Sequence, residues 1–384
     1  MDTVCYACGD RTVRATRTHC SCGEPLWLEV SPPGSWPTSS DPGMWRYESV
    51  LPTEPPTGVG AAAGGTPLVR TPAFDVGGTR LFVKDEGQNP TGSFKDRGSA
   101  VGVAAVAAGG GTRVGTVSHG NMAMSVAAHA AAHDLACTVL VPADISDERL
   151  ANIARYDPEV LRVEGDYGEL YRRTLESGIE TPFVNSDTPL RVAGQKTTAY
   201  EICEAFSPSV PDAIVLPVSS GGHLSATWKA LRELHAGGLL DRLPRLYAVQ
   251  AAACDPIVSA FDAGAIEVSS IERRETVAYS IANADPPSGT RALAALRATG
   301  GGAVSVSEGE IREAQDRFAR DGGFRVEASC ATTLAGVSHL RAREEVVAGE
   351  EVVLVVTGSG FKESSPVDVE AERIGLSELG ERLR

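Results

Sequence analysis

The residue with the clearest chemistry is Lys95. It lies in Asn89-Pro90-Thr91-Gly92-Ser93-Phe94-Lys95-Asp96-Arg97-Gly98, where turn residues deliver a lysine to the mouth of a long Ala/Val/Gly helix. Lysine is scarce in this chain. Only Lys84, Lys95, Lys196, Lys229 and Lys362 stand against a much larger number of arginines. An ammonium can lose its proton and attack a carbonyl, whereas a guanidinium stays charged, so a lysine kept here points to amine chemistry. A lone lysine at a helix start would otherwise read as a solvated side chain.

Three further segments have the composition of ligand loops. Ala213 to Val218 reads as a buried strand that runs into Ser219-Ser220-Gly221-Gly222-His223 and a helix from about Leu224. Small residues let backbone N–H groups converge, and the helix dipole favours an anion, so this loop suits a phosphate. Ser118-His119-Gly120-Asn121 follows the strand-like Arg113 to Val117, and Thr357-Gly358-Ser359-Gly360 follows Val352 to Val356. Taken alone, each is also an ordinary loop or helix cap.

In combination these segments resemble those of the threonine synthases, within fold type II of the pyridoxal-phosphate enzymes. The Asn89 to Gly98 stretch is similar to the cofactor-lysine motif. Asn185-Ser186-Asp187-Thr188-Pro189-Leu190-Arg191-Val192-Ala193-Gly194-Gln195-Lys196-Thr197 resembles the family's Asn-Ser-x-Asn-Pro-x-Arg-x-x-Gly-Gln-Lys-Thr motif. The resemblance implies that Lys95 carries pyridoxal 5'-phosphate, that Ser219, Ser220, Gly221, Gly222 and His223 cradle its phosphate, that Asn121 contacts its phenolate oxygen, and that Thr357 contacts its ring nitrogen. It further implies that Asn185, Ser186 and Arg191 hold the phosphate of O-phosphohomoserine, while the Ser118 to Asn121 loop takes the substrate carboxylate. An arginine fork with two neutral donors suits a phosphate dianion. Three departures weigh on the substrate more than on the cofactor. His119 and Met122 replace family threonines, and Ser220 stands where an asparagine often assists the substrate phosphate. Cysteate synthase-like β-replacement and threonine or serine dehydration are therefore the alternative activities, with an inactive paralogue or ribbon adaptor as the non-enzyme reading.

The elements that must hold these loops are legible as alternation. Strand-like runs at Leu81 to Lys84, Arg113 to Val117, Cys137 to Val141, Val160 to Val163, Ala213 to Val218, Leu246 to Gln250 and Val352 to Val356 alternate with helix-like segments. Such alternation predicts parallel sheets flanked by helices. With the resemblance, the expected fold is a two-lobed α/β fold of the tryptophan synthase β-subunit type: a cysteine ribbon over residues 1–30, a linker over 31–66, and a catalytic body over 67–384. Residues of about 100–190 are expected to form the smaller lobe.

Cys5, Cys8, Cys20 and Cys22 form Cys-x-x-Cys, eleven residues, then Cys-x-Cys-Gly. That spacing suits one structural zinc, with His19 as an alternative ligand, but it equally allows a metal-free or redox-active cluster. Cys137, Cys203, Cys254 and Cys330 read as scattered buried side chains. A formal net charge of −15 argues against nucleic-acid or anionic-membrane partners. The start Met1-Asp2-Thr3-Val4-Cys5 has no signal-peptide character. A cytoplasmic enzyme acting on a small phosphorylated amino acid, as a monomer or homodimer, is expected.

Overall fold

The computed structural model describes residues 2–12, 18–41, 43–118, 120–143, 145–165, 167–175, 179–272, 274–363 and 371–384. The chain begins with β1 (Thr3–Cys5), β2 (Arg11–Thr12) and β3 (Leu26–Leu28), an antiparallel sheet in the order β2-β1-β3. The proline-rich stretch that follows packs through its aromatic residues, with Trp36 donating to Ser207 Oγ at 3.1 Å and Tyr47 against Tyr200 at 5.2 Å. Met44, Trp45 and Tyr47 lie buried in a 3-10 turn over Met44–Val50, and the Trp45 indole donates to the Gly60 carbonyl at 2.8 Å.

The main body opens with β4 (Leu68–Arg70), β5 (Arg80–Asp85) and α1 (Lys95–Ala108). Next come β6 (Arg113–Val117), α2 (Asn121–Ala132), β7 (Ala136–Pro142), α3 (Asp147–Ala154), β8 (Glu159–Val163) and α4 (Tyr167–Arg173). Two abutting helices, α5 (Pro189–Gln195) and α6 (Thr197–Phe206), lead into β9 (Ala213–Pro217), α7 (Gly222–Ala236), β10 (Arg245–Ala251), α8 (Pro256–Asp262) and α9 (Gly289–Ala298). β11 (Gly302–Val306), α10 (Glu308–Arg320), α11 (Ala328–Ala342), β12 (Glu351–Val356) and the short α12 (Leu379–Arg382) complete the order.

β6, β7 and β8 form one parallel sheet, and a larger sheet runs β11-β10-β9-β12-β5-β4. Every pair in the larger sheet is parallel except β4 with β5, which places an antiparallel strand at one edge. β9 and β12 are buried along nearly their whole length, as strands covered on both faces by helices must be, and this explains their continuous Ile, Val and Leu runs. Every strand expected from alternation is present. β4 and the ribbon strands were not expected because each has only two or three residues, and β11 was not, because Gly302 and Ser305 dilute its apolar run. Among the described residues no helix is long and apolar enough to cross a membrane.

The entry to α1 is braced by a buried ionic network. Arg97, fully buried, meets Glu86 at 2.7 Å and Glu201 at 2.6 Å, and Lys84 meets Glu201 at 2.6 Å. Asp96 accepts from Thr91 N, Thr91 Oγ1 and Ser125 Oγ. These bonds fold the Thr91–Lys95 turn back on the helix and so fix where Lys95 points. Helices α1 and α5 approach so closely that a Cβ on Gly194 would collide with the Arg97 carbonyl, which accounts for a glycine inside a seven-residue helix.

Candidate active site

The carboxyl ends of β6, β7, β9 and β12 open onto one cavity of about 790 Å³, the position where parallel α/β sheets place ligands. Lys95, Ser118, Asn121, Ser186, Ser219, Ser220, Gly221, Gly222, His223 and Thr357 all contribute to its wall. Residues far apart in the chain thus meet, and Lys95 and Thr357 share a surface. His119 lies outside the described residues.

Lys95 Nζ sits 4.4 Å from the centroid of the Phe94 ring, on which the His223 imidazole also stacks at 4.0 Å. Burial pushes the Lys95 amine down, the positive charge of Arg191 pushes it further, and Glu327 only partly opposes them, leaving it at about 7. A large fraction is therefore neutral amine near neutral pH. His223 is driven down to about 3 by burial and is neutral, with Nε2 3.2 Å from Thr198 Oγ1. Its contribution to the loop is therefore ring packing and a backbone N–H, not charge.

Among the described residues, the backbone N–H groups of Ser219 to Leu224 have no acceptor; the first of the helix to find one is Ser225, which donates to Gly221 O at 3.0 Å. Helix starts leave such donors free, and here the residues that carry them line the cavity. Gly221 adopts φ +83, and a Cβ there would strike the Ser288 carbonyl, so the loop tolerates no side chain at its tightest point.

Two expected substrate ligands, Asn185 and Arg191, do not line this cavity. Asn185 Oδ1 accepts from Val117 N at 3.0 Å and its amide donates to Thr174 Oγ1 at 2.9 Å, so the side chain splices β6 to the Asn185 turn. Arg191 is fully buried beneath Lys95: it donates to Ser99 Oγ at 2.9 Å and to the Lys95 carbonyl at 3.2 Å, and its Nε has no partner among the described residues. Neither lines the cavity, whereas Ser186, between them, does. Helix geometry accounts for this, because α5 starts at Pro189 and Arg191 in its first turn faces α1.

Asn121 is also more engaged than its loop suggested. Its amide donates to Glu327 Oε1 at 2.7 Å, and Lys362 Nζ reaches Asn121 Oδ1 at 2.6 Å and Glu327 at 3.1 Å. Thr357 Oγ1 lies 3.3 Å from Cys330 Sγ, which also accepts from Gly358 N at 3.2 Å, so Cys330 supports the β12 loop and is more than core filler. Sequence reasoning did not single out Lys362, Arg149, Arg172 or His19 as residues of this site. Single charged residues on unrelated elements carry no local spacing signal.

A family model described as pyridoxal-phosphate dependent enzyme matches residues 59–358. The chain belongs to that family. It is 37% identical over 327 residues to the threonine synthase of Methanocaldococcus jannaschii, covering 84% of this chain and 81% of that protein. It is 34% identical over 332 residues to the threonine synthase of Mycobacterium leprae, covering 82% and 90%. Among solved structures, the T.th. threonine deaminase superposes with a TM-score of 0.65 at 27% identity, over 78% of this chain and 94% of that one. Serine racemase from Dictyostelium discoideum gives 0.64 at 23% identity, over 79% and 93%, a likeness of fold. The architecture is thus the fold type II α/β arrangement, and the chain is a pyridoxal-phosphate-dependent enzyme. The donor set fits that cofactor: free N–H groups at the Ser219 to Leu224 turn for a phosphate, and a depressed amine at Lys95 for an aldehyde.

In the ribbon, the ligand atoms of Cys5, Cys8, Cys20 and Cys22 lie within 4.8 Å of one another, with Cys5 Sγ to Cys22 Sγ at 3.6 Å and Cys8 Sγ to Cys20 Sγ at 3.7 Å. A tetrahedral site with Zn–S bonds of about 2.3 Å separates its sulfurs by roughly 3.8 Å. The alternative ligand, His19, is turned away from this cluster, its Nε2 3.4 Å from Asp187 Oδ2.

Proposed function

We propose that this enzyme converts O-phosphohomoserine and water to threonine and phosphate. The observation that carries the reading is a single cavity in which the Lys95 amine shares the wall with the Ser186 hydroxyl and with His19, Arg149 and Arg172. Arg172 is paired with Asp285 at 3.3 Å and Arg149 with Glu363 at 4.0 Å, so these guanidiniums are held at the wall where a doubly charged phosphate could compete for them. The similarity to threonine synthases over more than four-fifths of the chain supports the same substrate.

Pyridoxal phosphate, when bound, supplies the electron sink that acidifies the substrate α-proton. Lys95 would hold its aldehyde carbon, and the N–H groups of Ser219 to Leu224 would hold its phosphate. Thr357 would face the ring nitrogen with a hydroxyl. Displaced from the aldehyde, the buried Lys95 amine, which burial disfavours in its charged form, can take the proton from substrate Cα and return protons further along the chain of carbons. Ser118 and the N-terminus of α2 would orient the substrate carboxylate. Asn185 holds the turn that presents Ser186, and Arg191 keeps the Lys95 amine low by its charge.

The test compares phosphate release from O-phosphohomoserine, with threonine detection, against ammonia release from free threonine or serine. Phosphate release is expected to dominate. Faster deamination would favour a dehydratase, the reading suggested by the likeness to threonine deaminase and by the absence of Asn185 and Arg191 from the cavity wall.

The proposal extends to the rest of the molecule. The ribbon holds a structural zinc, the segment of about 100–190 forms the smaller lobe, and the enzyme works in the cytoplasm as a monomer or homodimer. Metal analysis is expected to find about one zinc per chain, as for a closed four-cysteine site. Replacing Cys5 and Cys8 by serine is expected to remove that metal while cofactor absorbance persists. Metal-free protein of undiminished stability would make the cluster a relic or redox pair.

A further inference from the structure

The ribbon reaches the cavity itself. Trp27 of β3 packs edge-on to Trp228 of α7 at 5.3 Å, Tyr6 of the ribbon meets the same ring edge-on at 5.7 Å, and Arg291 of α9 donates to the Pro25 carbonyl at 3.3 Å. These contacts give the ribbon a defined seat on the helices around the site. From that seat the turn before β3 projects His19 into the cavity wall, with its Nδ1 2.9 Å from Thr18 Oγ1 and its Nε2 3.4 Å from Asp187.

Asp187 is fully buried and adjoins Ser186. One carboxylate oxygen accepts from the Tyr171 hydroxyl of α4; the other has no hydrogen-bond partner among the described residues and faces His19 Nε2 at 3.4 Å. A buried carboxylate so sparsely bonded is costly to leave without its cationic or donor neighbour. His19 and Tyr171 thus clamp the same carboxylate from two elements, and both also line the cavity.

We propose that His19 is a positioning and specificity residue for the substrate: through Asp187 it fixes the Ser186 turn, and its ring forms part of the surface that meets the phosphate-bearing end of the substrate. The ribbon is then a working part of the substrate site. This inference rests on the reading that the cavity takes an amino acid whose anionic end reaches Ser186.

The experiment uses cofactor-loaded full-length enzyme carrying His19→Ala, His19→Gln or Asp187→Asn. Two quantities are read: KM and kcat for O-phosphohomoserine, and deuterium exchange of the backbone across residues 184–188. For His19→Ala the expected result is a KM raised about tenfold or more, with kcat within about threefold and cofactor absorbance unchanged, the pattern of lost ground-state positioning. Exchange across 184–188 should accelerate, Asp187→Asn should reproduce the effect, and His19→Gln, which keeps a donor, should restore most of it. A role confined to seating the ribbon would lower stability without this separation of KM from kcat, and that pattern overturns the proposal. If the wild type does not use O-phosphohomoserine, the assigned reaction fails separately, and exchange decides for His19: acceleration in His19→Ala supports the clamp, and wild-type exchange rejects it.

Discussion

Replacing Lys95 by alanine is expected to abolish the visible absorbance of covalently bound cofactor and to lower turnover by roughly a thousandfold or more, since both the attachment point and the acid–base group are lost. The fold should survive. In the apoprotein, Lys95 is held at about 7, below its ordinary 10.5, so its charged form is disfavoured by folding. The sign follows directly: that penalty is complete below about pH 7, diminishes as pH rises, and is gone above about 10.5. The alanine variant is therefore expected to gain most, relative to wild-type apoprotein, on the acid side of neutrality. Reloading of wild-type apoprotein with cofactor should slow as pH falls through about 7, where the neutral amine is depleted. Arg191→Leu removes a neighbouring positive charge and should move that midpoint upward. A Lys95→Ala protein that keeps the absorbance and activity sinks the assignment.

The largest effect on stability is expected at Arg97. Removing it strands Glu86 and Glu201 in the interior, and breaking a buried ion pair from one side typically costs about 3–5 kcal/mol. Arg97→Ala should show this as a lowered urea midpoint. Burial alone would raise Glu201, but the charges of Arg97 and Lys84 outweigh it and hold the carboxyl at about 2; Glu86 is lowered in the same way by Arg97. In the wild type these carboxylates contribute stability above about pH 4.5, lost as pH falls toward 2. Without Arg97 their protonation becomes favourable instead, so the gap between variant and wild type should narrow on acidification. Replacing Arg97, Glu86 and Glu201 together by apolar residues of similar size should recover much of the loss. A gap that widens on acidification would mean that Arg97 does not hold these carboxylates charged.

Both predictions hinge on residues of one ten-residue motif, yet only one was legible as functional. Lys95 announced itself by residue type in a lysine-poor chain, whereas nothing near Arg97 reveals Glu201, 104 positions away. Likewise Ser219 to His223 could be read as an anion loop because a buried strand, small residues and a helix follow one another directly. The Asn121, Glu327 and Lys362 group joins positions 206 and 241 apart, and no local pattern encodes it. Helix α5 has no local signature because it is seven residues long, contains Gly194 and is buried nearly all round, so it has no polar face to set a period.

By itself the sequence determined the alternation of buried strands and helices, the lysine and the loops that end three of those strands, and the pairing of cysteines across eleven residues. All of these are written in nearest-neighbour spacing, in turn chemistry and in the periods of strand and helix. Tertiary structure alone decided that Arg191 lies beneath Lys95 and lowers its amine, that Asn185 splices backbone while Ser186 faces the cavity, and that His19 of the ribbon meets Asp187. Each of those outcomes depends on which helix face is turned inward and on how closely α1 and α5 approach. These are properties of long-range packing, which the order of residues along one segment does not express.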